Sequence, residues 1–264
     1  MAELTIDSSL WLRPLRPAPD TAKVQLLCFP HAGGSAGFFR PLASRFPADV
    51  DVRGVQYPGR QDRRAEPALE DINLLADRIH EAFRPPDGLP YAFFGHSLGA
   101  VVAFEVARRL ERDGDRTPAV LFTSARRAPS RSGGEQVHLL DDDQVVAEIQ
   151  ALSGTSADLL LDDELVRMVL PAIRSDYRAI ETYRLAPDAT PLRTPIVALI
   201  GGSDPRVDID ETAAWSEHTT ADFDLHVFPG GHFYLSDQPT ETAVATTVTT
   251  HLQPHLRAAI RSGR

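Results

Sequence analysis

The stretch Tyr91-Ala92-Phe93-Phe94-Gly95-His96-Ser97-Leu98-Gly99 constrains the fold of this chain more than any other. Tyr91 to Phe94 is a short, aromatic-rich apolar run that reads as a buried strand. Leu98 to Arg112 reads as a helix whose apolar side is built from Val101, Val102, Phe104, Val106 and Leu110. A Gly-x-Ser-x-Gly between strand and helix demands a tight corner, and the missing Cβ atoms of Gly95 and Gly99 let the helix start close against the strand. Ser97 then projects from that corner at the helix N-terminus, where backbone N–H groups and the helix dipole favour developing negative charge. Such a serine is placed as a nucleophile. The plainer alternative is a glycine-rich turn whose serine caps the helix.

The elements around this corner alternate. Val24–Phe29 is a strand, followed by Pro30-His31-Ala32-Gly33-Gly34 and a helix with Phe38, Leu42 and Phe46 on one face. A strand from Val50 to about Tyr57 comes next, and Ala68 to Arg84 carries Leu69, Ile72, Leu75, Ile79 and Phe83 at helical spacing. Strands are expected at Ala119–Thr123, Pro195–Ile200 and Phe223–Phe228, with a short helix around Asp210–His218. Trp11 to Leu15 reads as an edge strand, and the threonine-rich tail from Thr240 as a final helix by its place in the order. This alternation predicts a single α/β domain over 1–264, with a mainly parallel sheet covered on both faces. One region breaks it. From about 133 to 191 the pattern is helical twice over, Asp141–Leu152 and Asp162–Leu185, bounded by Ser132–Gly134 and by Pro187 and Pro191. The second segment carries Leu165, Met168, Val169, Ile173, Tyr177, Ile180 and Tyr183. An insertion after a strand's C-terminal end overlies the edge where such sheets bind ligands, so it reads as a lid and pocket wall; the plainer alternative is a packing subdomain with no gating role.

A serine hydroxyl needs a base, and the base an orienting acid. In enzymes built on this corner the acid and then the histidine follow the serine along the chain. Of nine histidines, His232 in Pro229-Gly230-Gly231-His232-Phe233 follows the last strand and so reaches the same sheet edge as Ser97. Asp204, in Gly201-Gly202-Ser203-Asp204-Pro205, follows the strand before it; Asp208 is the rival acid. The oxyanion donors are expected to be the backbone N–H groups of Leu98 and of Ala32, in the glycine-rich loop after Val24–Phe29. His31 is expected to brace that loop.

Together these residues resemble the type II thioesterases of polyketide and nonribosomal peptide synthesis, within the α/β-hydrolases. The matching pieces are Phe29 to Ala36, Tyr57-Pro58-Gly59-Arg60, Gly95 to Gly99, Glu181-Thr182-Tyr183 and Phe228 to Phe233. The resemblance implies discrete hydrolases that free acyl groups from the phosphopantetheine arm of acyl or peptidyl carrier proteins, chiefly stalled ones. It supports the assignment of Ser97, Asp204 and His232 and the helical lid, and it implies neither cofactor nor metal. Rival functions are a general esterase, a cyclising thioesterase, or a catalytically silent carrier-binding module. Assays on acyl-carrier, acyl-CoA and simple ester substrates separate them.

Composition narrows the setting. A net charge of −10 disfavours nucleic acid as partner. No apolar run approaches the length that crosses a bilayer. A single cysteine rules out an internal disulfide framework and points to a reducing compartment, the cytoplasm. An acidic carrier protein would be repelled by such a chain. Two clusters after strand ends, Arg60, Arg63 and Arg64 and then Arg126, Arg127 and Arg131, are therefore candidates for carrier docking; the plainer alternative is solvated arginines paired with nearby Glu66, Asp62 or Glu135.

Overall fold

In the computed structural model, residues 7–18, 21–114, 117–131, 133–153 and 163–262 are described. Beginning at the N-terminus, a single helical turn α1 (Ser8–Trp11) runs into strand β1 (Leu12–Pro14). Then follow β2 (Val24–Phe29), α2 (Arg40–Arg45), β3 (Val50–Val55), α3 (Ile72–Ala82), β4 (Tyr91–His96), α4 (Leu98–Arg112) and β5 (Leu121–Ser124). An insertion of α5 (Asp142–Ser153) and α6 (Asp163–Thr182) separates β5 from β6 (Ile196–Gly201). The chain closes with α7 (Ile209–Ala213), β7 (Phe223–Phe228) and the long α8 (Gln238–Ser262).

The sheet order is β1-β3-β2-β4-β5-β6-β7. Only β1 runs antiparallel, along β3 at one edge, while β2, β3, β4, β5, β6 and β7 are mutually parallel. Strands β2, β4 and β6 are buried at every position, as a sheet covered on both faces requires. Strand periodicity divides their side chains between two cores. Leu27, Phe29, Phe93, Leu121, Ile196 and Ala198 pack with α3 and α4 through Ile72, Leu75, Ile79, Val101 and Phe104. Leu26, Cys28, Phe94, Phe122, Val197 and Leu199 pack on the other face with α2 and α8 through Leu42, Val244, Val248 and Leu252.

Several boundaries differ from the sequence expectation. Helix α3 starts at Ile72 rather than Ala68, because the Asp71 carboxylate accepts the Leu74 N–H and so caps it. The helix expected around Phe38 is a 3-10 turn over Ala36–Phe39 that leads into α2. The threonine-rich tail is helical over 25 residues despite its poor propensity. Hydroxyls of Thr242, Thr246, Thr249 and Thr250 donate to carbonyls four residues back, and the buried Val244–Leu252 face supplies the packing. In the insertion, Val137, Val145, Leu170 and Ile173 form a separate small core, whereas Ala179 and Ile180 join the main one. Met168 and Val169, read from sequence as part of the apolar pattern, stand exposed instead. The expected boundary at Ser132, the helix start at Asp162 and the side chain of Leu165 lie outside the described residues.

Candidate active site

Strand β4 delivers its chain to Ser97 in a backbone conformation (φ 55°, ψ −121°) that side-chain-bearing residues rarely adopt. Both flanking glycines are sterically required. A Cβ on Gly99 would lie 2.0 Å from the Phe29 carbonyl oxygen, and one on Gly95 would lie 2.3 Å from that of Gly99. The corner is held by the Ser97 N–H donating to the Ser124 carbonyl at 2.8 Å. The Ser97 side chain makes no capping hydrogen bond to α4. Its Oγ lies 3.0 Å from His232 Nε2.

His232 stands on the loop after β7, and its Nδ1 lies 2.8 Å from Asp204 Oδ2. A carboxylate only accepts, so Nδ1 carries the proton and Nε2 offers a lone pair to the serine hydroxyl. The Asp204 side chain is wholly buried, and its other oxygen accepts the Arg206 N–H at 2.9 Å. Asp208, the rival acid, caps α7 in a reciprocal capping box with Glu211. Three side chains from the ends of β4, β6 and β7 thus form one hydrogen-bonded line.

Leu98 opens α4, and Ala32 lies in the loop after β2, the neighbour of β4, with Phe29 paired to Gly95. That loop is gripped from α6. The Gly33 N–H donates to Asp176 Oδ2 at 2.7 Å, and Ile173 fills the space a Cβ on Gly33 (φ +75°) would need. Arg60 binds the same Asp176 carboxylate through both terminal nitrogens, at 2.6 and 2.8 Å, and donates to the Gly34 carbonyl at 3.2 Å. Burial alone would lower the Arg60 pKa, but the charge and hydrogen bonds of Asp176 outweigh it and raise it. His31 braces the loop as expected. Its ring is edge-on to Phe38 and Phe233, with centroids 4.4 and 4.8 Å away. Burial, reinforced by nearby His232 and Arg60, lowers its pKa to about 3, so it is a neutral packing group. His96 is likewise held neutral by burial, and its Nδ1 meets the Ser124 hydroxyl, which meets the Tyr234 hydroxyl at 2.6 Å.

The arginines considered for docking separate sharply. Arg60 is locked to Asp176 as described, Arg63 is buried over the Trp11 ring and bound to Glu66, and Arg127 is buried against Glu135 and Glu211. Burial removes all three from any docking surface, which corrects that expectation for them, and the pairs of Arg63 with Glu66 and of Arg127 with Glu135 are those of the alternative reading, buried rather than solvated on the arginine side. Arg64 and Arg131 are exposed, Arg131 in a pair with Glu217. Arg126 instead lines the cavity beside Ser97. That cavity, of about 540 Å³, is bounded by Ser97, His232, Arg126, Tyr177, Ile180 and Leu185 among others. Asp176, Tyr177 and Glu181 were not singled out from the sequence as site residues. For Asp176 a signal existed, because a carboxylate within the apolar stripe of a helix requires a cation. Among the described residues, no cluster of His, Cys, Asp or Glu could hold a metal ion.

A parallel sheet with a strained serine corner at its C-terminal edge, and a histidine on the loop after the last strand, defines an α/β-hydrolase. The thioesterase domain family matches residues 24–252, and the chain belongs to that family. The thioesterase PikA5 of Streptomyces venezuelae is 49% identical over 94% of this chain and 88% of its own. Among solved structures, the type II thioesterase BorB from the borrelidin biosynthetic cluster superposes with a TM-score of 0.84 at 51% identity. That match spans 92% of this chain and 98% of BorB. RedJ, a thioesterase of the prodiginine pathway of Streptomyces coelicolor, gives 0.83 at 35% identity, over 90% of this chain and 95% of its own.

Proposed function

We propose that this chain hydrolyses acyl thioesters carried on the phosphopantetheine arm of acyl or peptidyl carrier proteins, in the cytoplasm, clearing stalled groups from a biosynthetic assembly line. The observation that carries this reading is the line Ser97–His232–Asp204 at the wall of a 540 Å³ cavity, in a chain of the thioesterase family. Membership in that family and likeness to type II thioesterases of such pathways support the carrier-bound substrate.

The chemistry is acyl transfer in two steps. Ser97 Oγ attacks the thioester carbonyl while His232 Nε2 takes its proton, and Asp204 stabilises the imidazolium through Nδ1. The tetrahedral oxyanion accepts hydrogen bonds from the Leu98 and Ala32 N–H groups, each worth roughly 2.7–4 kcal/mol in the transition state. His232 returns the proton to the departing thiol. It then takes one from water as the water attacks the acyl-Ser97 ester, and gives it to Ser97 Oγ as the acyl–oxygen bond breaks and the free acid leaves. The insertion α5–α6 acts as the lid and pocket wall of a single domain. Of the proposed docking arginines, Arg64 and Arg131 remain in position to meet an acidic carrier.

Intact-mass analysis with a panel of acyl-carrier substrates tests the proposal. Wild type is expected to return the free carrier through a transient acyl adduct on the enzyme, and Ser97→Ala to return neither. Turnover retained by Ser97→Ala would remove the mechanism.

A further inference from the structure

The cavity beside Ser97 is rich in arginine, and nearly every cation there is already matched. Arg127 holds Glu135 and Glu211, Arg206 holds Glu148, Arg131 holds Glu217, and Arg184 donates to the carbonyls of Glu181 and Tyr183. The two carboxylates of the lining are engaged as well. Glu135 accepts both bonds from Arg127 Nη1, and Glu181 accepts the backbone N–H groups of Val137 and His138 together with His138 Nδ1.

Arg126 is the exception. Its Nε is buried without a hydrogen-bond partner, and its guanidinium forms no ion pair among the described residues. Burial, with adjacent Arg127 acting in the same direction and Glu135, Tyr177 and Glu181 opposing it, lowers its pKa to about 10, so it is still a cation at neutral pH. Arg126 as a whole is partly exposed and lines the cavity, so an oxygen acceptor that enters it, above all a carboxylate, finds a cation with no ion pair of its own and gains a charge-assisted hydrogen bond. Its position is fixed without involving its charge: Arg126 follows strand β5 directly after Ala125 (φ 50°), and its own carbonyl accepts the Trp215 indole N–H at 2.8 Å.

We propose that Arg126 is a specificity residue that hydrogen-bonds an oxygen of the bound thioester, and that a carboxylate on the acyl chain is the group it favours. The enzyme would then take monothioesters of dicarboxylic acids better than apolar acyl groups of the same reach. This rests on the reading of the cavity as the thioester site. The phosphate of a pantetheine arm lies at the end of the arm away from the thioester, and the thioesters of the test below lack it, so an effect seen with them is not owed to it. A neutral amide carbonyl of the arm is the other oxygen within the same chemistry, and a cation gains more from an anion than from an amide.

The test compares kcat/KM for succinyl and pentanoyl thioesters of N-acetylcysteamine, in wild type, Arg126→Gln and Arg126→Lys, with thermal unfolding to confirm folding. The succinyl-to-pentanoyl ratio is expected to fall by roughly tenfold or more in Arg126→Gln, the scale of a lost hydrogen bond to a charged group, and to recover in part in Arg126→Lys. An unchanged ratio overturns the proposal. So does a loss seen with N-acetylcysteamine thioesters and absent with ethanethiol esters, which lack the arm's amide and would place Arg126 on the arm. Calorimetry of the non-hydrolysable succinyl and pentanoyl amide analogues on Ser97→Ala and on Ser97→Ala/Arg126→Gln reads the same ratio as a Kd ratio without turnover. Failure of the hydrolytic reading therefore leaves this test intact.

Discussion

Replacing Asp176 with alanine probes whether the insertion and the oxyanion loop are mechanically one unit. Asp176 is 1% exposed and Arg60 6%, so the pair is shielded from solvent screening. Removing one member of a buried pair typically costs about 3–5 kcal/mol, because the survivor is left as an uncompensated buried charge. At about 2–4 °C per kcal/mol for a domain near this size, thermal unfolding is expected to drop by roughly 6–20 °C. The Gly33 N–H loses its side-chain acceptor in the same step, and the loop that presents the Ala32 N–H loses its hydrogen-bonded anchor to α6. If Ala32 donates to the oxyanion, kcat is expected to fall by up to about the hundredfold associated with one lost donor, with a smaller change in KM. The double variant Arg60→Met/Asp176→Leu separates the two effects. Apolar replacement of a whole buried pair is often neutral or stabilising by about 1–4 kcal/mol, so stability is expected to recover while kcat stays low. Unfolding within about a degree of wild type for Asp176→Ala, or a double variant as active as wild type, would refute the reasoning.

Other consequences follow from single positions. Ser97→Gly relieves a backbone conformation that costs about 1–3 kcal/mol, so it is expected to be inactive yet to melt at or above wild type in calorimetry. Gly99→Ala drives a Cβ to 2.0 Å from the Phe29 carbonyl oxygen, and since only backbone movement can relieve that overlap, the soluble yield and melting temperature are both expected to fall. His31 titrates at about 3 when folded and near 6.5 when unfolded, so the unfolded state binds the extra proton between those values. Stability is therefore complete above about pH 6.5 and declines by about 1.4 kcal/mol per pH unit per such histidine below it. Denaturant unfolding from pH 7 to 4 is expected to show a shallower slope in His31→Phe than in wild type.

The corner at Ser97 was legible because its cause is local. Two glycines, a serine and the strand and helix beside them lie within a dozen residues, and the geometry follows from missing Cβ atoms alone. The positions of Asp204 and His232 were legible for a different reason: parallel strands place the loops at their C-terminal ends on one edge, so chain order stands in for space. Element limits were less so, since a cap such as Asp71 wins by one hydrogen bond over a periodicity that runs past it in both directions. The tail shows the reverse, with tertiary packing of Val244, Val248 and Leu252 overriding threonine propensity.

The docking reading fails for Arg60, Arg63 and Arg127 because charge clusters in sequence carry no sign of depth, although Glu66 and Glu135 were legible as partners of Arg63 and Arg127. Arg60 meets Asp176 across 116 residues, and Gly33 meets it across 143. Nothing within either segment announces the other, and only the helix stripe with a carboxylate among Ile173, Ala179 and Ile180 hints that a cation must come from elsewhere. Burial then sorts identical residue types into opposite roles. Arg127, matched by Glu135 and Glu211, fixes the loop after β5; its neighbour Arg126, unmatched, turns the same loop into a place where the shape and charge of an acyl group can be felt. A cation that lines the cavity of the reactive serine with no ion pair of its own gains most when something else supplies an oxygen. For that reason the charge of the acyl chain, rather than its length alone, is the variable to vary first.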